Sequence, residues 1–172
     1  MIIWLNGCYG VGKTETANRL QKKFKNSHIY DPEQMGYFLW NNFPTSMQRK
    51  GDFQDLEIWR EFNYKIIRYM YDAFSGHIII PMTIARVDYY NQTAGKLQEN
   101  GLSIRHFVLT ARKETIVQRL LQRGESRGCW AEMQIDRCLQ AFRQYTYGEK
   151  VDTETLDAQA VADFIFDRIF PA

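Results

Sequence analysis

The segment Gly7-Cys8-Tyr9-Gly10-Val11-Gly12-Lys13-Thr14 limits what this chain can fold into more than any other stretch. It follows a short apolar run, Ile2 to Leu5, and leads into residues 14–24, where Ala17, Leu20 and Phe24 recur at helical spacing. The eight residues match G-x-x-x-x-G-K-[ST] in full, between a predicted strand and a predicted helix. Glycines allow the positive-φ turns that aim successive backbone N–H groups into one concavity. A helix starting near Lys13 adds the positive end of its dipole. Lys13 supplies a point charge able to reach β- and γ-phosphates, and the Thr14 hydroxyl can ligate Mg²⁺. The plain alternative is a glycine turn carrying a surface lysine. The flanking strand and helix favour a bound nucleoside triphosphate, held by Gly7, Cys8, Tyr9, Gly10, Val11, Gly12, Lys13 and Thr14. GTP readers of this class usually carry an N/T-K-x-D segment; none is present, so ATP is the expected nucleotide.

The rest of the chain continues in the same rhythm. Further strands are expected at His28–Tyr30, His77–Met82, Ile104–Leu109 and Val151–Thr153. Helices are expected over Asp55–Phe74, from Asp88 (as cap) to Leu97, Lys113–Arg123, Trp130–Tyr145 and Asp157–Ile169. In the first of these, Ile58, Phe62, Ile66, Tyr69 and Ala73 form the expected apolar stripe, with Arg60 off it. Short apolar strands alternating with helices predict an α/β fold, a five-stranded parallel sheet covered on both faces. Trp40–Phe53 and Gly124–Cys129 break the rhythm and are expected to be loops.

Bulk properties exclude several classes. The 172 residues fit one domain spanning 1–172. A net charge of +2 with interspersed signs offers no nucleic-acid footprint. No apolar run approaches the roughly 20 residues of a membrane helix, and the N-terminus lacks signal-peptide features. Cys8, Cys129 and Cys138 form no CxxC pair. A reduced, cytoplasmic protein, monomer or homodimer, is the expectation.

Two sets of charged residues bear on chemistry. Asp31, in "HIYDPEQMG", directly follows the second strand, across from the phosphate loop of a doubly wound sheet. There it could hold Mg²⁺ through water or accept the proton of an attacking hydroxyl; alternatively, Asp-Pro is simply a turn. Arg119, Arg123 and Arg127 recur at intervals of four, running from a helix into a glycine-bearing loop, and Arg137 follows on the next helix. Such arginines can close on a triphosphate as a lid over residues 119–137; otherwise they are a solvated face balanced by Glu114, Glu125 and Glu132.

Together the glycine loop, "YDPEQMG", "WREFNY", "IIIPMTI" and "WAEMQIDRC" resemble the tunicamycin resistance protein family over nearly the whole chain. More broadly the layout resembles shikimate, adenylate and nucleoside kinases and chloramphenicol phosphotransferases. The resemblance implies a three-layer α/β/α kinase-like fold with an ATP site, a helical substrate-binding region at 32–75 and a lid. It assigns Lys13 and Thr14 to the phosphates and Mg²⁺, Asp31 to the acid after the second strand, and Arg119 and Arg123 to the lid entry. Lys13, Asp31, Arg119 and Arg123 are thus the catalytic candidates. Thr14 and Asp31 are the metal candidates, and Arg119, Arg123 and Arg127 the further ATP contacts. The third strand ends "IIIPMTIAR", without the acidic or glycine-rich tip of adenylate kinases, which argues against a nucleotide acceptor.

Residues 30–74 hold 12 of the 25 aromatic residues, a density that suits a bulky, partly apolar acceptor or a packed helical subdomain. Asp31, Met35, Trp40, Arg60 and Arg86 are the acceptor-side candidates, the two arginines for a polar or anionic handle on the acceptor or, equally, as surface ion-pair residues. His28, His77 and His106 fall at strand starts, away from the ligand edge, and are read as structural. Cys8, beside a helix N-terminus, is expected to have a lowered thiol pKa. The function expected is an ATP- and Mg²⁺-dependent phosphotransferase acting on a small-molecule hydroxyl. The alternatives are an ATP-binding protein that sequesters a drug unmodified and a switch acting on a protein partner.

Overall fold

The structure is a computed structural model and describes residues 1–47, 51–144 and 147–171. Five strands form one wholly parallel sheet: β1 (Ile2–Gly7), β2 (Ser27–Ile29), β3 (His77–Pro81), β4 (Ile104–Thr110) and β5 (Glu149–Asp152). Their order is β2-β3-β1-β4-β5. Every residue of β1 is buried, as expected of a central strand covered on both faces. Ile2, Ile3 and Leu5 have no exposed surface, each contributing about 1.5–3 kcal/mol of apolar burial.

The helices are α1 (Lys13–Lys23), α2 (Glu33–Asn42), α3 (Glu57–Ala73), α4 (Val87–Tyr90), α5 (Lys96–Glu99), α6 (Lys113–Gln122), α7 (Trp130–Met133), α8 (Ile135–Gln144) and α9 (Ala158–Ile169). Contacts pair α1 with α9 and α6 with α8, while α3 meets the segment joining α4 to α5. After β1 the chain crosses to β2 at one edge, and after β3 it crosses to β4 on the other side. The C-terminal ends of β1 and β3 therefore flank the switch point where ligands bind in such sheets.

Several expectations need correction. The buried line of α3 is Trp59, Asn63 and Ile67, with Arg60 beside it, whereas Tyr69 is 74% exposed and Ala73 is exposed. Two polar residues hide on the inner face, so counting apolar positions set the stripe out of phase. Asp88 does not cap its helix; it pairs with Arg86 at 2.6 Å. A π-helical turn, Asn91–Gly95, connects α4 to α5 and turns Gln92 toward α3. The expected helix from Trp130 to Tyr145 is broken at Gln134, and Tyr145 lies outside the described residues. Trp40 belongs to α2 rather than to a loop.

His106 on β4 stacks on Tyr90, with ring centroids 5.4 Å apart, and meets Trp4 edge-on. Burial pushes its pKa down to about 4. In the unfolded chain the ring protonates near pH 6.5. The neutral ring's stabilisation is therefore complete above pH 6.5 and is lost as pH falls toward 4. Denaturant unfolding at pH 7 and pH 4.5 is expected to show about 2 kcal/mol of acid destabilisation that His106→Phe removes.

Candidate active site

The turn after β1 is built from glycines with φ of +136° (Gly7), +79° (Gly10) and +111° (Gly12). A Cβ on Gly7 would lie 2.5 Å from the Leu109 carbonyl oxygen, so loop and β4 could not approach as they do. Gly12 faces open space, and its left-handed backbone alone favours glycine. No side chain caps α1, so its first-turn N–H groups point into the loop without intrahelical acceptors.

Lys13 is 8% exposed and donates from Nζ to the carbonyls of Gly7 (3.0 Å) and Cys8 (2.9 Å). Burial lowers its pKa to about 8, with Glu33 pulling it back up. Thr14 is exposed at the mouth of the loop. Two further side chains brace the turn. Asn6 Oδ1 accepts from the N–H groups of Gly7 (2.9 Å) and Ile84 (2.8 Å), while its Nδ2 donates to the Ile84 carbonyl (3.0 Å). The Thr83 hydroxyl donates to the Gly7 carbonyl at 2.8 Å. Where an acid is missing beyond β3, a buried threonine thus stitches the β3 exit to the glycine loop. Neither residue was singled out from the sequence, because both act only once β1 and β3 lie side by side.

Two cavities open from this turn. One, of about 570 Å³, is lined by Gly10–Thr16, Arg119, Gln122, Arg123 and, after β5, Thr153, Leu156, Asp157, Ala158 and Val161. The other, of about 470 Å³, is lined by Asp31, Glu33, Asp52 and the rings of Tyr9, Tyr37, Trp40, Phe53 and Trp130, with Arg123 and Glu125 at its rim. Gly10, Lys13, Thr14 and Arg123 line both.

Asp31 reaches the second cavity through a braced strand end. Tyr30, before it, donates from its hydroxyl to Asn63 Oδ1 at 2.7 Å. Pro32, after it, accepts from Trp59 Nε1 at 3.0 Å. The "WREFNY" segment of α3 therefore fixes "YDP" from both sides. The Asp31 carboxylate also accepts from the Glu33 N–H (3.0 Å) and from Gln34 Nε2 (3.2 Å), which starts α2. The turn and the cavity-lining placement thus coexist in one residue.

Glu33 and Asp52 were not anticipated. Burial raises the Glu33 pKa, with Asp31 adding to the rise and Lys13 opposing it. Burial likewise raises Asp52. Asp52 accepts from Tyr9 Oη (3.3 Å), whose ring meets Trp130 edge-on at 4.9 Å. A variable position of the glycine loop thereby touches both the Asp52 turn and α7.

The predicted arginines separate. Arg119 donates from Nη1 to the Val11 carbonyl (3.1 Å) and Thr153 Oγ1 (2.9 Å), and from Nη2 to the Thr153 carbonyl (2.5 Å), bracing the loop against the end of β5. Arg123, at the end of α6, faces both cavities. Arg127 pairs with Glu132 at 3.4 Å and lines neither. Arg137 approaches Asp52 Oδ2 at 4.0 Å and lines a separate small cavity with it, not the second cavity.

On the acceptor side, Trp40 lines the second cavity, but three candidates do not. Arg60 is buried under the Tyr89 ring and donates to Gln92 Oε1 (2.6 Å) and the Gln54 carbonyl (2.5 Å). Arg86 also lies over the Tyr89 ring, 4.1 Å from its centroid, and pairs with Asp88. Met35 packs against the core. Cys8 also departs from expectation: its hydrogen bond with Cys138 and its burial hold the thiol well above its usual pKa, outweighing the helix terminus.

A family of known proteins described as AAA domain matches residues 3–137. The chain belongs to that family. No curated protein matches it in sequence. Among solved structures, the tunicamycin resistance protein of Deinococcus radiodurans superposes with a TM-score of 0.83 at 29% identity, covering 99% of this chain and 96% of its own. An unliganded sugar kinase from Janibacter sp. gives a TM-score of 0.64 at 16% identity, with 98% and 91% covered. A shikimate kinase from Acinetobacter baumannii, in complex with shikimate, gives 0.60 at 14%, with 98% and 92% covered. The last two share the fold with this chain, and that fold is the P-loop NTPase fold. Among the described residues, no helix is long and apolar enough to cross a membrane.

The residues present fit a Mg²⁺–triphosphate. The glycine turn offers N–H groups and a buried cation, and Thr14 and Asp31 supply oxygens on the same cavity. Among the described residues, no three His, Cys, Asp or Glu side chains gather as a metal site of their own. A metal brought in by the nucleotide accords with that.

Proposed function

We propose that this protein is an ATP- and Mg²⁺-dependent phosphotransferase acting on a hydroxyl of a small molecule. The observation that carries the reading is the meeting of two cavities at Gly10, Lys13, Thr14 and Arg123. One cavity runs toward the end of β5 and suits the nucleoside; the other is walled by rings and carboxylates and suits an acceptor. The resemblance to the Deinococcus tunicamycin resistance protein and to several kinases supports it.

In this reading Mg²⁺, held by Thr14 and by Asp31 through water, neutralises phosphate charge when bound. Lys13 leaves its two loop carbonyls for phosphate oxygens, and Arg123 faces the same junction. Asp31 orients the acceptor hydroxyl and takes its proton as the new O–P bond forms. The bond between the γ-phosphorus and the bridging oxygen breaks, and its electron pair leaves with ADP. Arg119 holds the loop rather than the phosphates. The loop from Gly124 to Cys129 serves as the lid.

A second reading, drug binding without modification, is favoured by the threonine that stands beyond β3 where an acid is missing. Incubating the protein with ATP, Mg²⁺ and a panel of antibiotics, nucleosides and sugars separates the two. A mass gain of one phosphate with matching ADP release is the expected result. Tight binding of a compound whose mass never changes would establish sequestration instead.

A further inference from the structure

The cations facing the second cavity, Lys13 and Arg123, both stand at its junction with the first. Among the described residues, its other charged lining side chains are Asp31, Glu33, Asp52 and Glu125. Arg60 and Arg86, the sequence candidates for a polar or anionic handle, are engaged elsewhere, and Arg137, 4.0 Å from Asp52, does not line this cavity. The carboxylates differ in availability. Asp52 accepts from Tyr9 and twice from Gln54, and Asp31 accepts from Glu33 N–H and Gln34. Among the described residues, no side-chain hydrogen bond or ion pair engages the half-buried Glu33 carboxylate, whose charge is felt at Lys13. Rings of Tyr37, Trp40, Phe53 and Trp130 line the same cavity. Four carboxylates and five rings on one cavity suit a donor-rich, ring-bearing occupant.

Building on the phosphotransferase reading, we infer that the acceptor is a hydroxylated, ring-bearing molecule that is neutral or cationic, and that Glu33 sets this charge preference by accepting from its hydroxyl or ammonium group. A carboxylate or phosphate on the acceptor would meet a partly desolvated negative field in which, among the described residues, the only lining cations are the two at the phosphate junction. The flat walls favour an aromatic or sugar face, and the carboxylates orient its donors.

The test uses the full chain loaded with ADP and three matched probes: phenyl β-D-glucoside, its 2-amino-2-deoxy analogue and phenyl β-D-glucuronide. Binding is followed by tryptophan fluorescence and saturation-transfer NMR, up to 10 mM probe. The amine is expected to bind best and the glucuronide at least tenfold more weakly than the glucoside. Glu33→Gln should narrow that spread several-fold, and Glu33→Arg should reverse it, each variant being checked for retained ATP binding. Equal or tighter glucuronide binding, a spread untouched by Glu33→Gln, or no binding of any probe would overturn the inference. Phosphate transfer is scored separately. Charge-ranked binding without transfer to any acceptor would sink the phosphotransferase reading alone, whereas transfer to an anionic acceptor would sink the inference alone.

Discussion

Asp31→Asn is expected to leave ATP affinity within about threefold of the wild type while turnover falls about 10³-fold, the range lost when a general base is removed. The substitution is close to isosteric. The asparagine carbonyl can still accept from the Glu33 N–H, and the exposed Gln34 amide can flip to meet the new NH₂ group. The start of α2 should therefore survive, and with it the brace from Tyr30 and Pro32 to α3. What disappears is the proton acceptor and part of the metal's water shell. Isothermal titration with a non-hydrolysable ATP analogue, alongside ADP release with a working acceptor, reads both quantities. Unchanged turnover would remove Asp31 from the chemistry.

Lys13→Ala is expected to act on the other side of the junction. Losing two charge-assisted hydrogen bonds to phosphate, each worth about 1.5–3 kcal/mol, should weaken ATP binding by at least about a hundredfold. A pH signature accompanies it. In the free protein burial sets the Lys13 pKa near 8. A bound triphosphate supplies negative charge and raises it, so binding above pH 8 takes up a proton. ATP affinity should then fall about tenfold per pH unit just above pH 8, and proton uptake should appear in titrations run in buffers of different ionisation enthalpy. The alanine variant should show neither effect over that range. A pH-independent affinity in the wild type between pH 7 and 9.5 would mean that the Lys13 amine does not gain a proton on binding, and an unweakened alanine variant would mean that Lys13 does not carry the phosphates.

The glycine loop could be read directly because its requirements are local: three positive-φ residues, one cation and one hydroxyl within eight positions. The alternation of strands and helices survived for the same reason, since each period is short. Asp31 was legible from its place after a strand. What failed depended on tertiary company. Nothing in "WREFNY" marks Arg60 and Asn63 as inward-facing until Gln92 and Tyr30 arrive to bond them. For Arg127 and Arg86 the sequence left a ligand role and a local ion pair both open, and the structure pairs them with Glu132 and Asp88, five and two residues away. Glu33 lies two residues from Asp31, yet its importance comes from the rings and from Lys13, which the sequence places far away. Asp52 sat in a stretch read as loop, and its hydrogen bond from Tyr9 spans 43 positions.

The two sides of the junction rest on unequal supports. The phosphate side hangs from β1, which pairs along its length with β4 and is buried throughout. The acceptor side hangs from β2, a three-residue strand with one neighbour, plus the brace from α3. Edge elements of that kind open and exchange their amides more readily than the centre of a sheet. A chain so divided can have its recipient pocket rebuilt, by substitution or insertion between Asp31 and Glu57, with little disturbance to the nucleotide cradle. On the phosphotransferase reading proposed above, the fold would thereby separate what must stay constant, the handling of a triphosphate, from what can be exchanged, the identity of the molecule that receives the phosphate.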